Sequence, residues 1–146
     1  MKEIVGNLWD YYDEGNWVVI TVNSNVKKSG EAVMGVGIAK QAKNRYPTIA
    51  RKLAELIQTY GSKVQVIESF QDGRGLIAFP TKRNWYDNSS LELIKISAYQ
   101  LAKLTPNNKK VYLPRPGCGS GGLIWAEVKP AIETILDNRF IVVSKT

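Results

Sequence analysis

The sequence predicts an α/β protein: a three-layer α/β/α domain on a six-stranded mixed sheet, spanning residues 1–146. Three observations carry that expectation. Short β-branched, apolar runs alternate with segments of helical periodicity along the whole chain, the pattern of a sheet covered on both faces. One connection, "SFQDGRG" at 69–75, is too short for a crossover and reads as a hairpin, so the sheet is not purely parallel. With 146 residues and 44% apolar side chains there is material for one substantial core.

Taken in order, strands are expected at "KEIV" (2–5), "WVVITV" (17–22), "KVQVIES" (63–69), "GLIAF" (75–79), "KVYLP" (110–114) and "RFIVVS" (139–144). Helices are expected at "VGIAKQAKNRY" (36–46), at "TIARKLAELIQTY" (48–60) and from Ser89, where Leu91, Ile94, Ala98 and Leu101 share one face. Ser89 and Glu92 have the spacing of a capping box. A last helix is expected over "AEVKPAIETILD" (126–137), with Pro130 near its first turn, where a missing N–H does least harm. No internal repeat, low-complexity tract or linker interrupts the pattern.

Composition narrows the chemistry. Histidine is absent, which removes the usual general base, the commonest metal ligand and every Ser-His or Cys-His dyad. Catalysis is left to Lys, Asp, Glu, Asn, Ser, Tyr, Cys, backbone amides or water. Cys118 is the only cysteine, so no internal disulfide forms and a reducing, cytoplasmic setting is expected. There is no long uninterrupted apolar run and no basic-then-apolar leader, so a soluble protein without membrane contact is expected. The net charge of +7 admits two readings, a solvated basic surface or attraction to phosphates and nucleic acid.

In open α/β sheets ligands bind beyond the carboxyl ends of the strands. The unusual residues collect there: "NSN" follows the second strand, "PTKRNW" closes the fourth and "RPGCGSGG" follows the fifth. Three loops are therefore expected to converge on one crevice. "KKSGEAVMGVGIAK" (27–40) is a glycine loop running into a helix, which offers free N–H groups and a positive dipole end to a phosphate. It is not a Walker loop, because Val36 stands where lysine must follow, and not the dinucleotide fingerprint, because Lys40 replaces the third small residue. "GCGSGG" (117–122) is not a nucleophile elbow, since Cys118 replaces the glycine two residues before Ser120. Either loop alone reads equally as a bare turn. Together, as two amide cradles at adjacent strand ends, they suit a diphosphate without a metal.

"VGNLWD", "VNSN…VMGVGIAKQAKNRYP", "AFPTKRNW" and "PRPGCGSGGLIWAEV" resemble, in order and spacing, the macro domain family of ADP-ribose binders and hydrolases. The resemblance covers nearly the whole chain. It points to the branch holding DNA ADP-ribosyl glycohydrolases, terminal ADP-ribose protein glycohydrolases and ADP-ribose 1″-phosphate phosphatases. It implies an ADP-ribosyl glycohydrolase-type hydrolase, acting on ADP-ribosylated DNA or protein, with no cofactor and no metal. A phosphatase acting on ADP-ribose 1″-phosphate, and a non-catalytic reader of ADP-ribose or a related NAD-derived nucleotide, are the alternatives. Its partner is then ADP-ribose itself or a substrate carrying it, nucleic acid included.

Residue by residue, the resemblance places Asn7 at the adenine end, where most members have Asp. Asn23 and Asn25 both fall where an asparagine meets the distal ribose. Met34, Gly35, Val36, Gly37 and Ile38 match the first diphosphate loop, and Gly117, Cys118, Gly119, Ser120, Gly121, Gly122 and Leu123 the second. Pro80 and Thr81 lead to Lys82, which matches the lysine associated with catalysis at C1″ of the distal ribose, as nucleophile or as electrostatic stabiliser. Gly121 occupies the place of a catalytic Asp in the protein-directed enzymes, a departure that favours the nucleic-acid-directed reading. Trp85 and Trp125 either wall the crevice or pack.

Overall fold

A computed structural model describes residues 1–146. Six strands form one mixed sheet: β1 (Lys2–Val5), β2 (Trp17–Val22), β3 (Gln65–Ser69), β4 (Gly75–Pro80), β5 (Val111–Leu113) and β6 (Phe140–Ser144). Their spatial order is β1-β6-β5-β2-β4-β3, and every pairing is parallel except β3 with β4. The expected hairpin closes through Phe70 N–H to the Arg74 carbonyl (2.8 Å) and Gly73 N–H to the Phe70 carbonyl (3.1 Å).

The helices are α1 (Leu8–Asp13), α2 (Ile38–Arg45), α3 (Ile49–Tyr60), α4 (Leu91–Leu104) and α5 (Trp125–Glu133). Strand alternation divides the core in two. Val18, Ile20 and Val22 of β2, with Leu76 and Ala78 of β4, face α1, α2 and α3 through Tyr12, Ala42 and Leu53. Val19, Ile77 and Phe79 face the other way, onto Ile94, Ala98 and Leu101 of α4 and Val128 and Ile132 of α5. Those two packed faces make the three layers. No helix is long and apolar enough to cross a membrane.

Three local expectations are corrected. Helix α1 lay unpredicted in "LWDYYD": its six residues are too few for a periodic signal, and it is held by burial of Leu8, Trp9 and Tyr12. The cap of α4 is Ser90, whose Oγ accepts from Leu93 N–H (3.2 Å), so the Ser89–Glu92 capping box does not form. Ser89 is fixed elsewhere, because its N–H donates to the Gly121 carbonyl (2.9 Å) while Ser90 N–H donates to the Thr81 carbonyl (2.8 Å). Helix α5 starts at Trp125 and stops at Glu133, which puts Pro130 in its interior and leaves Thr134 and Ile135 in a turn.

Candidate functional site

Because β1, β6, β5, β2 and β4 run parallel, their carboxyl ends open on the same edge of the sheet, and a cleft of about 600 Å³ lies there. Each of these strands delivers residues to it: Asn7 after β1, Asn23 after β2, Thr81 and Lys82 after β4, Arg115 and Gly117 after β5, and Lys145 after β6. The convergence expected from the loops is what the topology enforces.

Both glycine loops line this cleft. In the first, no backbone N–H from Met34 to Lys40 has an acceptor within the protein, and the next bond in sequence is Gln41 N–H to the Gly37 carbonyl (3.0 Å). Gly37 caps α2 with φ 74°, a conformation open to glycine and strained for other residues, and this turn aims the free amides outward. In the second loop Gly119, Ser120 and Gly121 also have unpaired N–H groups, while Gly122 N–H closes onto the Gly119 carbonyl (3.3 Å) and Leu123 N–H onto that of Gly117 (2.9 Å). Consecutive free amides of this kind make an anion-binding concavity. Side-chain charge agrees in sign, since Lys82, Arg115 and Lys145 line the cleft against Asp87 alone.

The glycines of the second loop serve different ends. A Cβ on Gly119 would meet nothing within 4 Å, so that backbone is bare toward the cleft. A Cβ on Gly121 would lie 2.2 Å from Ser89 Oγ and 2.6 Å from the Gly117 carbonyl oxygen. The missing carboxylate at 121 is therefore also a packing requirement of this loop. Ser89 Oγ is buried there without a hydrogen-bond partner.

Asn7, Asn23, Met34, Gly35, Val36, Gly37, Ile38, Thr81, Lys82, Gly117, Gly119, Ser120 and Gly121 all line the cleft. Pro80, Cys118, Gly122, Leu123 and Asn25 do not. Pro80 ends β4 inside the sheet, its carbonyl accepting from Ser97 Oγ (2.7 Å). Cys118 and Leu123 turn back onto the α4–α5 side of the core. Burial pushes the Cys118 thiol up, against the pull of Arg115, which keeps it a neutral packing group at neutral pH.

The two asparagines separate in role. Asn23 is 6% exposed; its Nδ2 donates to the Val33 carbonyl (3.0 Å) and its Oδ1 accepts from Asn25 N–H (2.9 Å). One N–H and one lone pair are left for a ligand. Asn25 instead ties two loops together: its Nδ2 donates to Asn84 Oδ1 (3.1 Å) and its Oδ1 accepts from Trp85 N–H (2.7 Å). Beside it Ser24 N–H donates to the Arg83 carbonyl (2.8 Å). These ties fix the loop that carries Lys82, which is half-buried and in no ion pair. At the far end Asn7 caps α1, with Oδ1 accepting from Trp9 N–H (3.0 Å), so the group it has free for a base is chiefly its amide N–H₂.

Trp85 is 57% exposed on the wall of the cleft, whereas Trp125 lies outside it, donating from Nε1 to Glu3 Oε1 (2.9 Å) beneath the Arg115 guanidinium. Gln41, Tyr86, Asp87, Asn88, Ser89 and Lys145 also line the cleft, and none of them belongs to a motif that marks a ligand site. Gln41 is one turn into α2 and was visible only as a polar residue on a helix; Ser89 was read as a cap. No group of three His, Cys, Asp or Glu side chains stands close enough to hold a metal ion.

No protein-family model matches the chain. The DNA ADP-ribosyl glycohydrolase of Mycobacterium tuberculosis is 36% identical over 104 residues, 66% of this chain and 30% of that protein. The protein of the same name from Thermus aquaticus is 31% identical over 146 residues, 94% of this chain and 38% of that one. The chain thus spans between 30% and 38% of the length of these curated relatives. Among solved structures, the macrodomain of Mycobacterium tuberculosis DarG superposes with a TM-score of 0.76 at 28% identity, covering 98% of this chain and 99% of its own. That of Thermus aquaticus DarG superposes at 0.77 and 26%, covering 99% and 97%. Alike in sequence and in fold along nearly its full length, the chain belongs to the macro domain family.

Proposed function

We propose that residues 1–146 act as one macro domain that binds ADP-ribose and removes it from DNA by hydrolysis at C1″ of the distal ribose. The observation that carries this reading is the pair of amide-rich loops, Met34–Lys40 and Gly119–Gly121, unpaired within the protein and opening on one cleft with net positive side chains. A diphosphate fits between them, with the adenosine toward Asn7 and the distal ribose toward Asn23 and Lys82. DNA is preferred to protein as the leaving partner on two grounds: the relatives at 31% and 36% identity bear that activity in their names, and Gly121 leaves no room for a carboxylate.

In the reaction the bond from C1″ to the DNA base breaks, water supplies hydroxyl to C1″, and its proton goes to the departing base. Lys82 Nζ has two available roles. It attacks C1″ of the opened sugar, forming an imine that water then hydrolyses, or its charge stabilises the ring oxygen as the sugar opens. Asn23, held at both ends, orients the ribose hydroxyls.

One observation favours a second reading. Asp87 is the only carboxylate on the cleft, so a domain that binds ADP-ribose without turnover is also consistent with the geometry. Calorimetry with ADP-ribose, with and without a chelator, followed by incubation with ADP-ribosylated DNA, ADP-ribosylated protein and ADP-ribose 1″-phosphate, decides between them. Metal-independent binding with release of ADP-ribose from DNA is expected. Binding with no turnover of any substrate would leave the reader, and release of phosphate alone would leave the phosphatase.

A further inference from the structure

At the mouth of the cleft the 82–87 loop exposes two aromatic rings side by side. Trp85 is 57% and Tyr86 68% exposed, their centroids 5.7 Å apart and their planes at 89°. Neither ring stacks on another aromatic group or lies under a cation of the protein. A singly exposed ring, such as Tyr60 or Tyr99, is ordinary, but two adjoining bare rings on the wall of a cleft make an apolar patch of the kind that marks a binding surface. The loop is not loose, because Asn25 grips its backbone at Trp85 N–H and its Asn84 side chain, and Ser24 N–H holds Arg83.

Those same ties bring a second charged segment alongside. The 26–32 loop, closed by Lys27 N–H to the Glu31 carbonyl (2.7 Å) and the Val26–Ala32 bridge, carries Lys27 and Lys28, both exposed. Together with Lys82 and Arg83, the two tied loops carry four cations, and none is in an ion pair. The acidic residues in the two loops are Glu31 and Asp87, and Asp87 is occupied in accepting from Asn84 Nδ2 (3.0 Å).

We propose that Trp85 and Tyr86, with Lys27, Lys28 and Arg83 on the same pair of tied loops, form a docking surface for the unpaired DNA strand beside the modified base. The inference rests on the reading that DNA is the substrate and assigns these residues to its flanking nucleotides. Bare aromatic faces offer stacking to unpaired bases of any sequence, and unpaired cations on the same loops offer counter-charges to the phosphates. A base within a duplex has no free face for either ring, so the surface selects single-stranded DNA. The cations alone would suit any polyanion. The rings distinguish an unpaired strand from an acidic peptide.

The test uses fluorescently labelled, unmodified 12-nucleotide single-stranded DNA, the same sequence as a duplex, and an acidic peptide of equal charge, titrated with wild-type protein and followed by anisotropy. ADP-ribose binding is measured in parallel by calorimetry. The single strand is expected to bind at least about tenfold more tightly than the duplex, and Trp85→Ala with Tyr86→Ala to remove that advantage. Both substitutions keep the backbone N–H that Asn25 holds. Lys27→Ser with Lys28→Ser should flatten the salt dependence and spare the preference for the single strand. Equal binding of duplex or peptide, or a preference that survives loss of both rings, overturns the docking surface. If ADP-ribose fails to bind while the strand binds through the rings, the proposed function fails and the surface stands; if ADP-ribose binds and the strand does not, the reverse holds.

Discussion

Gly119→Val puts a side chain into the space assigned to the diphosphate. A Cβ there meets no atom within 4 Å, and Gly119 is not among the glycines of positive φ, so the backbone accepts valine without strain. The domain should therefore melt within a few degrees of the wild type. Binding should not survive as well. The new methyl groups would stand before the free N–H groups of Gly119, Ser120 and Gly121. Hydrogen bonds to a charged acceptor contribute roughly 1.5–3 kcal/mol each, so losing two removes about 3 kcal/mol or more, at least about a hundredfold in affinity. Calorimetry with ADP-ribose reads the affinity, and thermal unfolding shows that the fold persists. An unchanged dissociation constant in a variant that melts normally would refute the placement of the diphosphate on this loop.

Three further perturbations follow from contacts around the cleft. Asn7→Ser keeps a cap for α1 and removes the amide, so ADP-ribose should bind about 1–2 kcal/mol more weakly with little change in melting, while Asn7→Ala should also lower stability by about 1 kcal/mol, both read by calorimetry and thermal unfolding. Gly121→Asp drives a side chain into Ser89 Oγ and the Gly117 carbonyl; it should destabilise by about 2 kcal/mol or more and confer no activity on ADP-ribosylated protein, as melting and a release assay would show. Asn25→Ala frees the 82–87 loop from the end of β2, so kcat should fall by about tenfold or more while ADP-ribose affinity changes little, measured by steady-state release from ADP-ribosylated DNA.

Much of this architecture was legible because its signals are local. The strands are short apolar runs, rich in Val and Ile in β2 and β6, and α3 and α4 repeat their apolar positions over three turns or more, so pattern alone locates them. Helix α1 has no such length; Trp9 and Tyr12 are helical because they fill the space under the sheet, Trp9 Nε1 also donating to Gln41 Oε1 (2.8 Å). The cap of α4 was missed by one residue because a tertiary bond, Ser89 N–H to the Gly121 carbonyl, decides between two adjacent serines. The site follows the same division. Glycine clusters at strand ends announce loops with free amides, but which side of a loop faces the ligand depends on chain direction. Cys118 and Leu123 belong to the glycine stretch and face the core, whereas Ser89 is distant in sequence and sits against Gly121. Asn23 and Asn25 are indistinguishable by spacing; the bond from Asn25 N–H to Asn23 Oδ1 turns one toward the cleft and the other toward Trp85.

Lys82→Ala, assayed for release of ADP-ribose from ADP-ribosylated DNA, tests the proposed chemistry most directly. Lys82 is the cation that stands on the cleft beside Asn23 and Thr81, and the Asn25 ties hold its loop in place without it. Turnover should fall by about two orders of magnitude or more, about 3 kcal/mol of transition-state stabilisation, with the dissociation constant for ADP-ribose within about twofold of wild type. Borohydride added during wild-type turnover should trap the imine if Lys82 is the nucleophile, and Lys82→Arg should then be as inactive as alanine. Full activity of Lys82→Ala on ADP-ribosylated DNA would contradict the account, leaving Lys82 a surface charge and the reaction to some other group on the cleft.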